Sequence, residues 1–445
     1  MSLSRLQLGL VAAVAATCPV SIFAAQVLLA LAVAVYLARI ATGGAVWERV
    51  RFDAPFLAFA VWTLLATAFA ADPLTSIESA KKLVLFSLLP LSVSTMQEPE
   101  RRERVMDAAL LGGLAMVLWG VTQYYVLGFD SPDRRPRSFL GHYMTASGLE
   151  MGVAILAAAR LLFHRGPWRA PTASDLKALL GLVLALGVLG ALKASNVFAV
   201  EAERLFVAGV AAAAAALAVA SGPWPGASLR MALPALALPA AIWGLVVSQT
   251  RNTWLGTLAG MAVLGILRAP RLLWLLAAGV VGLLIVGPAP VMRRLTIADA
   301  SSVDRYYMWQ AGLDMIQSKP VFGHGPGMIL SVYPQYRRPE APNPRTPHLH
   351  NNALQIAAER GLPGLALWLW AMAIALVDAY REAKASARGA GWGAAAALAL
   401  LVAALLAGMF EYNSGDSEVL MFTLLIVAFV YGLRRQRIGH PAFAR

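Results

Sequence analysis

Charged residues are scarce in this 445-residue sequence, since Asp, Glu, Lys and Arg make up 14% of it, against roughly 25% in soluble globular proteins. Hydrophobic residues make up 59%. This balance excludes a soluble multidomain enzyme. Cysteine is scarcer still, because Cys18 is the single example. The sequence therefore excludes an internal disulfide and a thiol-ligated metal cluster.

Long apolar runs fill most of the chain, and each approaches the roughly 20 residues that a transmembrane helix needs. They do not alternate apolar and polar residues, which argues against an outer-membrane barrel. The pattern predicts an all-α, polytopic transmembrane bundle of about 12–14 helices. The lower number applies if one pair of apolar segments between residues 175 and 248 lies at the membrane interface and does not cross the membrane. The first run lacks a cleavage site and is interpreted as a retained helix. The apolar segments cover residues 6–18, 21–40, 54–71, 79–96, 104–127, 144–163, 175–192, 205–220, 231–248, 252–267, 271–288, 358–379, 391–410 and 417–433.

The net charge of +13 would suggest a nucleic-acid partner in a soluble protein, but here the basic residues follow the membrane topology. With a cytoplasmic N-terminus, the basic connections between segments fall on the cytoplasmic side, as the positive-inside rule requires. Both termini are then predicted to be cytoplasmic, and no nucleic acid is expected. The prediction divides the chain into N-terminal transmembrane helices with short loops (1–288), an extracytoplasmic loop or cap with helical pieces (289–357), and three C-terminal helices with a short tail (358–445).

Arginine is nevertheless present in the outer segments. Arg251 stands at the start of an apolar run, where an ionisable side chain is costly and is a functional candidate by default. A guanidinium group forms two parallel hydrogen bonds to phosphate oxygens and stabilises a departing anion. These arginines therefore suit a lipid-linked pyrophosphate. The alternative is that these arginines lie in long loops, to which the positive-inside rule does not apply, or that their side chains reach lipid headgroups. The outer arginines are Arg134, Arg135, Arg137, Arg251, Arg293, Arg294, Arg305, Arg337, Arg338 and Arg345.

No D-x-D motif is present to hold a divalent metal on such a pyrophosphate. Acidic pairs with one residue between them include Glu201 with Glu203 and Asp416 with Glu418. The sequence therefore predicts a metal-independent reaction without a cofactor.

Two histidines stand near the end of the long loop, in the sequence RTPHLHNNALQ. His348 and His350 precede a predicted helix that begins near Asn351, and the positive end of a helix dipole favours neutral imidazole. A neutral imidazole accepts a proton as a general base. The alternatives are a capping or packing role, and half of a zinc site, for which the further ligands would be His324 and His142.

Several motifs together resemble one family. His350-Asn351, nine residues, and Gly361-Leu362-Pro363-Gly364 are similar to the H-N-x9-G-x-x-G pattern of the O-antigen ligase and polymerase superfamily. Ser248 to Arg251 with Trp254 resembles its S-x-[ST]-R segment. Arg305 with Trp309 resembles its R-x-x-x-W segment. The turn from Pro320 to Gly327 and the segment from Arg137 to Gly141 are similar to two further motifs.

The resemblance implies a GT-C-like glycosyltransferase of the bacterial inner membrane, with its active site facing the periplasm. It implies inverting, metal-independent transfer of O-antigen from undecaprenyl pyrophosphate to a hydroxyl of lipid A-core, among membrane lipids. The family's essential residues map onto His350, Arg251 and Arg305. The predicted substrate-binding residues are Arg137, His348, Asn351, Tyr306, Trp309, Arg337 and Arg338.

Other assignments stay open at this point. Aromatic residues such as Tyr306 and Trp309 either stack on sugars or form an interfacial belt. Glu411, Asn413, Asp416 and Glu418 are candidates for orienting an acceptor or an arginine. The shared motifs do not separate a ligase from an O-antigen polymerase or a protein O-oligosaccharyltransferase. A transporter is the distant alternative, although it would be expected to carry charges near the membrane midplane.

Overall fold

A computed structural model of the chain describes residues 2–131, 134–163, 227–286, 292, 300–385 and 391–439. Over these residues the protein is helical and contains no strand. The predicted all-α fold is thereby confirmed. The predicted segments 175–192 and 205–220, together with Arg293 and Arg294, lie outside the described residues.

The helices follow the apolar segments with shifts of a few residues at most ends. The bounds are α1 Leu3–Thr17, α2 Ile22–Ala41, α3 Asp53–Ala68, α4 Pro73–Ala80, α5 Leu88–Thr95, α6 Pro99–Tyr125, α7 Tyr143–Phe163, α8 Ala227–Ser248, α9 Arg251–Arg268, α10 Leu272–Val286, α11 Ala300–Ser318, α12 Ile329–Tyr336, α13 Asn352–Ala385, α14 Trp392–Ala407 and α15 Ser417–Gly439.

Among the described residues, six helices are long and apolar enough to cross a membrane: α2, α6, α7, α8, α13 and α15. Shorter apolar helices accompany them, namely α1, α3, α10 and α14. The chain is a multi-pass membrane protein.

One predicted span is not a single α-helix. Residues 79–96 do not form a single helix, because α4 ends at Ala80, a 3-10 helix covers Lys81–Ser87, and α5 follows. Pro90 explains part of this break, since it has no N–H to donate to the carbonyl of Phe86.

Small residues let α9 and α14 approach closely, as is common between membrane helices. A Cβ atom added at Gly256 would lie 2.8 Å from the Ala403 carbonyl oxygen, and one at Gly260 would lie 3.1 Å from that of Ala399. The order of these contacts shows that the two helices are antiparallel. The first residue of α9, Arg251, is consequently at the same end of the bundle as the connection between α14 and α15.

Candidate active site

The centre of the site is a histidine paired with a carboxylate. The Nδ1 of His350 lies 2.8 Å from Oε2 of Glu411, so a segment before α13 meets the connection between α14 and α15. The backbone of His350 has φ 49°, in the left-handed region that few non-glycine residues adopt. In the described part of the chain, no group hydrogen-bonds Nε2 of His350, which is left available to a substrate.

His348 lies on the other side of the same carboxylate. Its Nε2 is 3.8 Å from Oε1 of Glu411, and its ring centroid is 4.2 Å from that of His350. The Nδ1 of His348 is buried without a hydrogen-bond partner among the described residues. The structure thus brings together the two histidines singled out in the sequence and adds Glu411 to them.

Electrostatics keep Glu411 ionised. Burial opposes ionisation, but the hydrogen bond from His350 and the positive potential of both histidines outweigh it, and the pKa of Glu411 falls to about 2. Burial lowers the pKa of His348 and of His142. An ionised Glu411 accepts the Nδ1 proton of His350 and leaves a lone pair on Nε2, which is the tautomer that a general base requires.

Helix α11 connects the histidines to the arginines. The indole N–H of Trp309 donates to the Leu349 carbonyl at 3.1 Å, next to His350. Arg305 lies one turn earlier on the same face of α11, and its buried Nε has no hydrogen-bond partner among the described residues. Ser302, a further turn back, accepts a hydrogen bond of 3.2 Å from Arg251. One helix face therefore brings the three predicted catalytic residues into the same region.

Arg135 joins this region, whereas the sequence predicts Arg137 as the substrate-binding residue of this loop. Its guanidinium lies 3.7 Å from the ring centroid of Tyr143 and donates to the Gln249 carbonyl at 3.5 Å, two residues before Arg251. The guanidinium of Arg137 lies 6.0 Å from the ring centroid of Phe129. His142, beside Tyr143, is close enough to interact electrostatically with Glu411 and His350.

The remaining predicted binding residues have contacts within the protein. Asn351 caps α13, because its Oδ1 accepts from the backbone N–H of Leu354 at 3.0 Å. Arg337 donates to three carbonyls of its own loop. Arg338 forms a 2.8 Å ion pair with Asp314. Tyr306 is exposed, and its hydroxyl accepts a hydrogen bond from Gln310. His324, which the alternative of a zinc site would use, is buried and hydrogen-bonded to Met315 and Ser318.

Helix α13, which follows the segment of His350, is broken at Gly361. Gly361 interrupts α13 with φ 68° and ψ 177°, which takes the N–H of Leu362 away from the Ala358 carbonyl, and Pro363 has no N–H to donate to the Glu359 carbonyl. The backbone N–H groups of His324 and Gly325 satisfy these carbonyls, at Ala358 and Glu359, with hydrogen bonds of 2.9 Å. The N–H of Leu362 in turn donates to the Pro320 carbonyl at 2.8 Å. The Pro320–Gly327 turn and the Gly361–Gly364 segment are therefore one structural unit.

A comparison with protein families finds a similarity over part of the chain. Residues 235–369 match the family model described as O-Antigen ligase. About a third of the chain is thus similar to the O-antigen ligase family. A search of curated proteins finds no matching relative.

The part matched to the O-antigen ligase family contains Arg251, Arg305, His348 and His350, as well as both halves of the broken-helix unit. Glu411, Arg135 and His142 lie outside it. The candidate site therefore includes residues on both sides of the matched region.

A cavity of about 410 Å³ opens beside His348. His348 and Asn352 line it near the candidate base. Phe52, Phe59 and Phe86 line it elsewhere, together with apolar residues of α13, α14 and α15. The cavity is therefore suited to an apolar chain that carries a polar group at one end.

Proposed function

We propose that this protein transfers O-antigen from undecaprenyl pyrophosphate to a hydroxyl of lipid A-core, at the periplasmic face of the bacterial inner membrane. The observation that carries the proposal is the pairing of His350 with Glu411, with Nε2 unoccupied, beside a helix that bears Arg305 and contacts Arg251. Such a site combines a base with cationic groups for a leaving pyrophosphate.

The arginines hold the donor. Arg251, Arg305 and Arg135 come from three separate segments and converge at one end of the bundle, which suits the several oxygens of a pyrophosphate. Their positive charge stabilises the negative charge that develops on the departing group. Part of the polyprenyl tail enters the apolar cavity beside His348.

The reaction is a single displacement. The acceptor oxygen attacks the anomeric carbon while Nε2 of His350 takes the proton of the acceptor hydroxyl. The bond between that carbon and the pyrophosphate oxygen breaks, and both electrons leave with undecaprenyl pyrophosphate. Attack opposite the leaving group inverts the anomeric configuration. This chemistry uses no nucleotide and no metal.

The protein's orientation follows from charge. A cytoplasmic N-terminus places the basic connections inside, and the end of the bundle that carries His350 and Arg251 then faces the periplasm, where the acceptor is anchored. Both termini are cytoplasmic in this arrangement.

A genetic experiment tests the acceptor. Cells that lack the protein are complemented with wild type, with His350→Ala, or with Arg345→Ala, an exposed arginine of the same loop. Lipopolysaccharide gels and extracted lipid-linked glycan are compared at matched protein levels. We expect wild type and Arg345→Ala to give an O-chain ladder, and His350→Ala to lose it while long polymer accumulates on the lipid carrier.

Two other outcomes reject the ligase assignment. Lipopolysaccharide core that carries a single repeat would identify a polymerase. An unchanged ladder in cells without the protein would indicate another acceptor, such as protein, or a transport role.

A further inference from the structure

Three potential metal ligands converge at the candidate base. Donor atoms of His348, His350 and Glu411 all lie within 4.8 Å of one another. The shortest separations are the 2.8 Å between His350 and Glu411 and the 3.8 Å between His348 and Glu411. Ligands about 2.0–2.1 Å from a tetrahedral zinc ion lie roughly 3.3 Å apart, so small side-chain movements would bring these atoms around such an ion.

The two segments that carry these ligands are held together by hydrogen bonds that do not involve them. The backbone N–H of Asn352 donates to the Gly408 carbonyl at 2.7 Å. The side chain of Asn351 donates to the Met409 carbonyl at 2.9 Å, and that of Asn352 donates to Asn413 at 2.7 Å. The ligand spacing is therefore set by the fold and does not depend on a bound ion.

We infer that His348, His350 and Glu411 bind a transition-metal ion such as Zn²⁺ and that the bound ion inhibits transfer. Two imidazoles and one carboxylate suit Zn²⁺, Ni²⁺ and Cu²⁺ and disfavour Mg²⁺ and Ca²⁺, which take oxygen ligands. Three protein ligands leave a fourth position open, as in many zinc sites. The inhibition rests on the proposed function, whereas the binding does not.

The inhibition follows from the two nitrogens of one imidazole. In the metal-free protein, Nδ1 of His350 carries the proton and Nε2 carries the lone pair that accepts a proton from the acceptor. A metal ion takes the lone pair of Nδ1, so a neutral ring must carry its proton on Nε2. The ion also occupies Glu411, which otherwise fixes the productive tautomer. The base is thereby disabled while the arginines keep their contacts.

Metal binding is measured first. The full-length protein is purified with an affinity tag that contains no histidine, stripped with a chelator, and titrated by calorimetry with Zn²⁺, Ni²⁺, Mg²⁺ or Ca²⁺. We expect one tight Zn²⁺ per protein and no heat from Mg²⁺ or Ca²⁺. Glu411→Gln and His348→Asn, confirmed as folded by thermal melting, should each weaken the tight site by more than about tenfold.

Glu418→Gln is the matched control, because Glu418 lies in the same outer segment and outside the cluster; its Zn²⁺ affinity should equal that of wild type. Absence of a tight Zn²⁺ site in wild type would overturn the inference. So would a site that Glu411→Gln and His348→Asn both retain, since it would then lie elsewhere.

Inhibition is measured next, in a transfer assay with purified components. Zn²⁺ should inhibit the wild type and excess chelator should restore the rate, whereas His348→Asn should need about tenfold more Zn²⁺ for the same inhibition. Full activity of the Zn²⁺-loaded wild type would overturn the inhibitory role. Failure of the metal-free wild type to transfer glycan would count against the proposed function and leave the binding result standing.

Discussion

At the residue scale, backbone strain coincides with the candidate site. Ser138, Gln249 and His350 are the non-glycine residues with positive φ in the part of the chain that the structure describes. Gln249 lies two residues before Arg251 and accepts from Arg135, and His350 is the candidate base, whereas Ser138 adjoins Arg137, whose guanidinium lies near Phe129. Such conformations cost of order 1–3 kcal/mol each and concentrate at functional sites, which supports the assignment independently of the motifs.

The arginine assignment predicts a loss of leaving-group stabilisation. Arg305→Ala and Arg251→Ala should each lower the transfer rate by about 10²–10³-fold, by analogy with the removal of one oxyanion donor. Arg268→Ala, at the opposite end of α9 from Arg251, and Arg345→Ala should keep the wild-type rate. Initial rates with purified protein check this, and equal rates for Arg305→Ala and Arg345→Ala would contradict it.

The role of Glu411 predicts a defect in rate without a defect in donor binding. Glu411→Gln removes the anion that holds the Nδ1 proton of His350, and loss of the corresponding carboxylate in a serine-protease triad costs about 10⁴-fold. We expect a fall of about 10²-fold or more in single-turnover rate, with donor affinity within twofold of wild type, about 0.4 kcal/mol. Glu418→Gln is the control. A wild-type rate for Glu411→Gln would remove Glu411 from the mechanism.

Asp416 predicts a dependence of stability on pH. Burial and the negative charges of Glu411 and Glu418 raise the pKa of Asp416 to about 7, while an unfolded Asp titrates at about 3.9. The folded state therefore binds more protons between these values, and stability falls as the pH rises toward 7. Asp416→Asn should flatten the fall in melting temperature between pH 5 and pH 8, whereas Asp314→Asn should follow wild type. If the melting temperature of Asp416→Asn fell between pH 5 and pH 8 as much as that of wild type, this role of Asp416 would be disproved.

At the scale of elements, the sequence predicted most helices and missed how two motifs interact. Apolar length locates α2, α6, α7 and α15 to within a few residues. It does not reveal that the segment 79–96 breaks, because the hydrophobicity is continuous and the break depends on local backbone geometry. Nor does it reveal that the Pro320–Gly327 turn binds the broken α13, since this pairing depends on tertiary contacts.

The broken α13 predicts a glycine requirement. At Gly361 the combination of positive φ and extended ψ is essentially restricted to glycine, and an added Cβ would overlap the Val321 carbonyl. Gly361→Ala should lose at least about 1–3 kcal/mol of stability and lower the melting temperature in detergent. Gly279→Ala is the control, because its Cβ would meet nothing within 4 Å. Equal melting temperatures for the two variants would contradict the account.

At the scale of the whole molecule, the site is assembled from segments far apart in sequence. Arg135, Arg251, Arg305, His350 and Glu411 come from five regions, the first in the loop before α7 and the last in the connection between α14 and α15. The sequence identified Arg251, Arg305 and His350 through charge, position and motif, and their roles remain predictions. For Glu411 the sequence predicted only a position in the last outer segment. Nothing in the residues around Glu411 indicates that its partner is His350, which is 61 residues away.

The most direct test of the central claim separates donor binding from transfer. Purified wild type and His350→Ala are compared in lipid nanodiscs with lipid-linked glycan, lipid A-core and a chelator. We predict that wild type transfers glycan with the chelator present, and that His350→Ala binds the donor normally but transfers it about 10²–10⁴-fold more slowly, the contribution of a general base. A His350→Ala protein that transfers glycan at the wild-type rate would contradict the account.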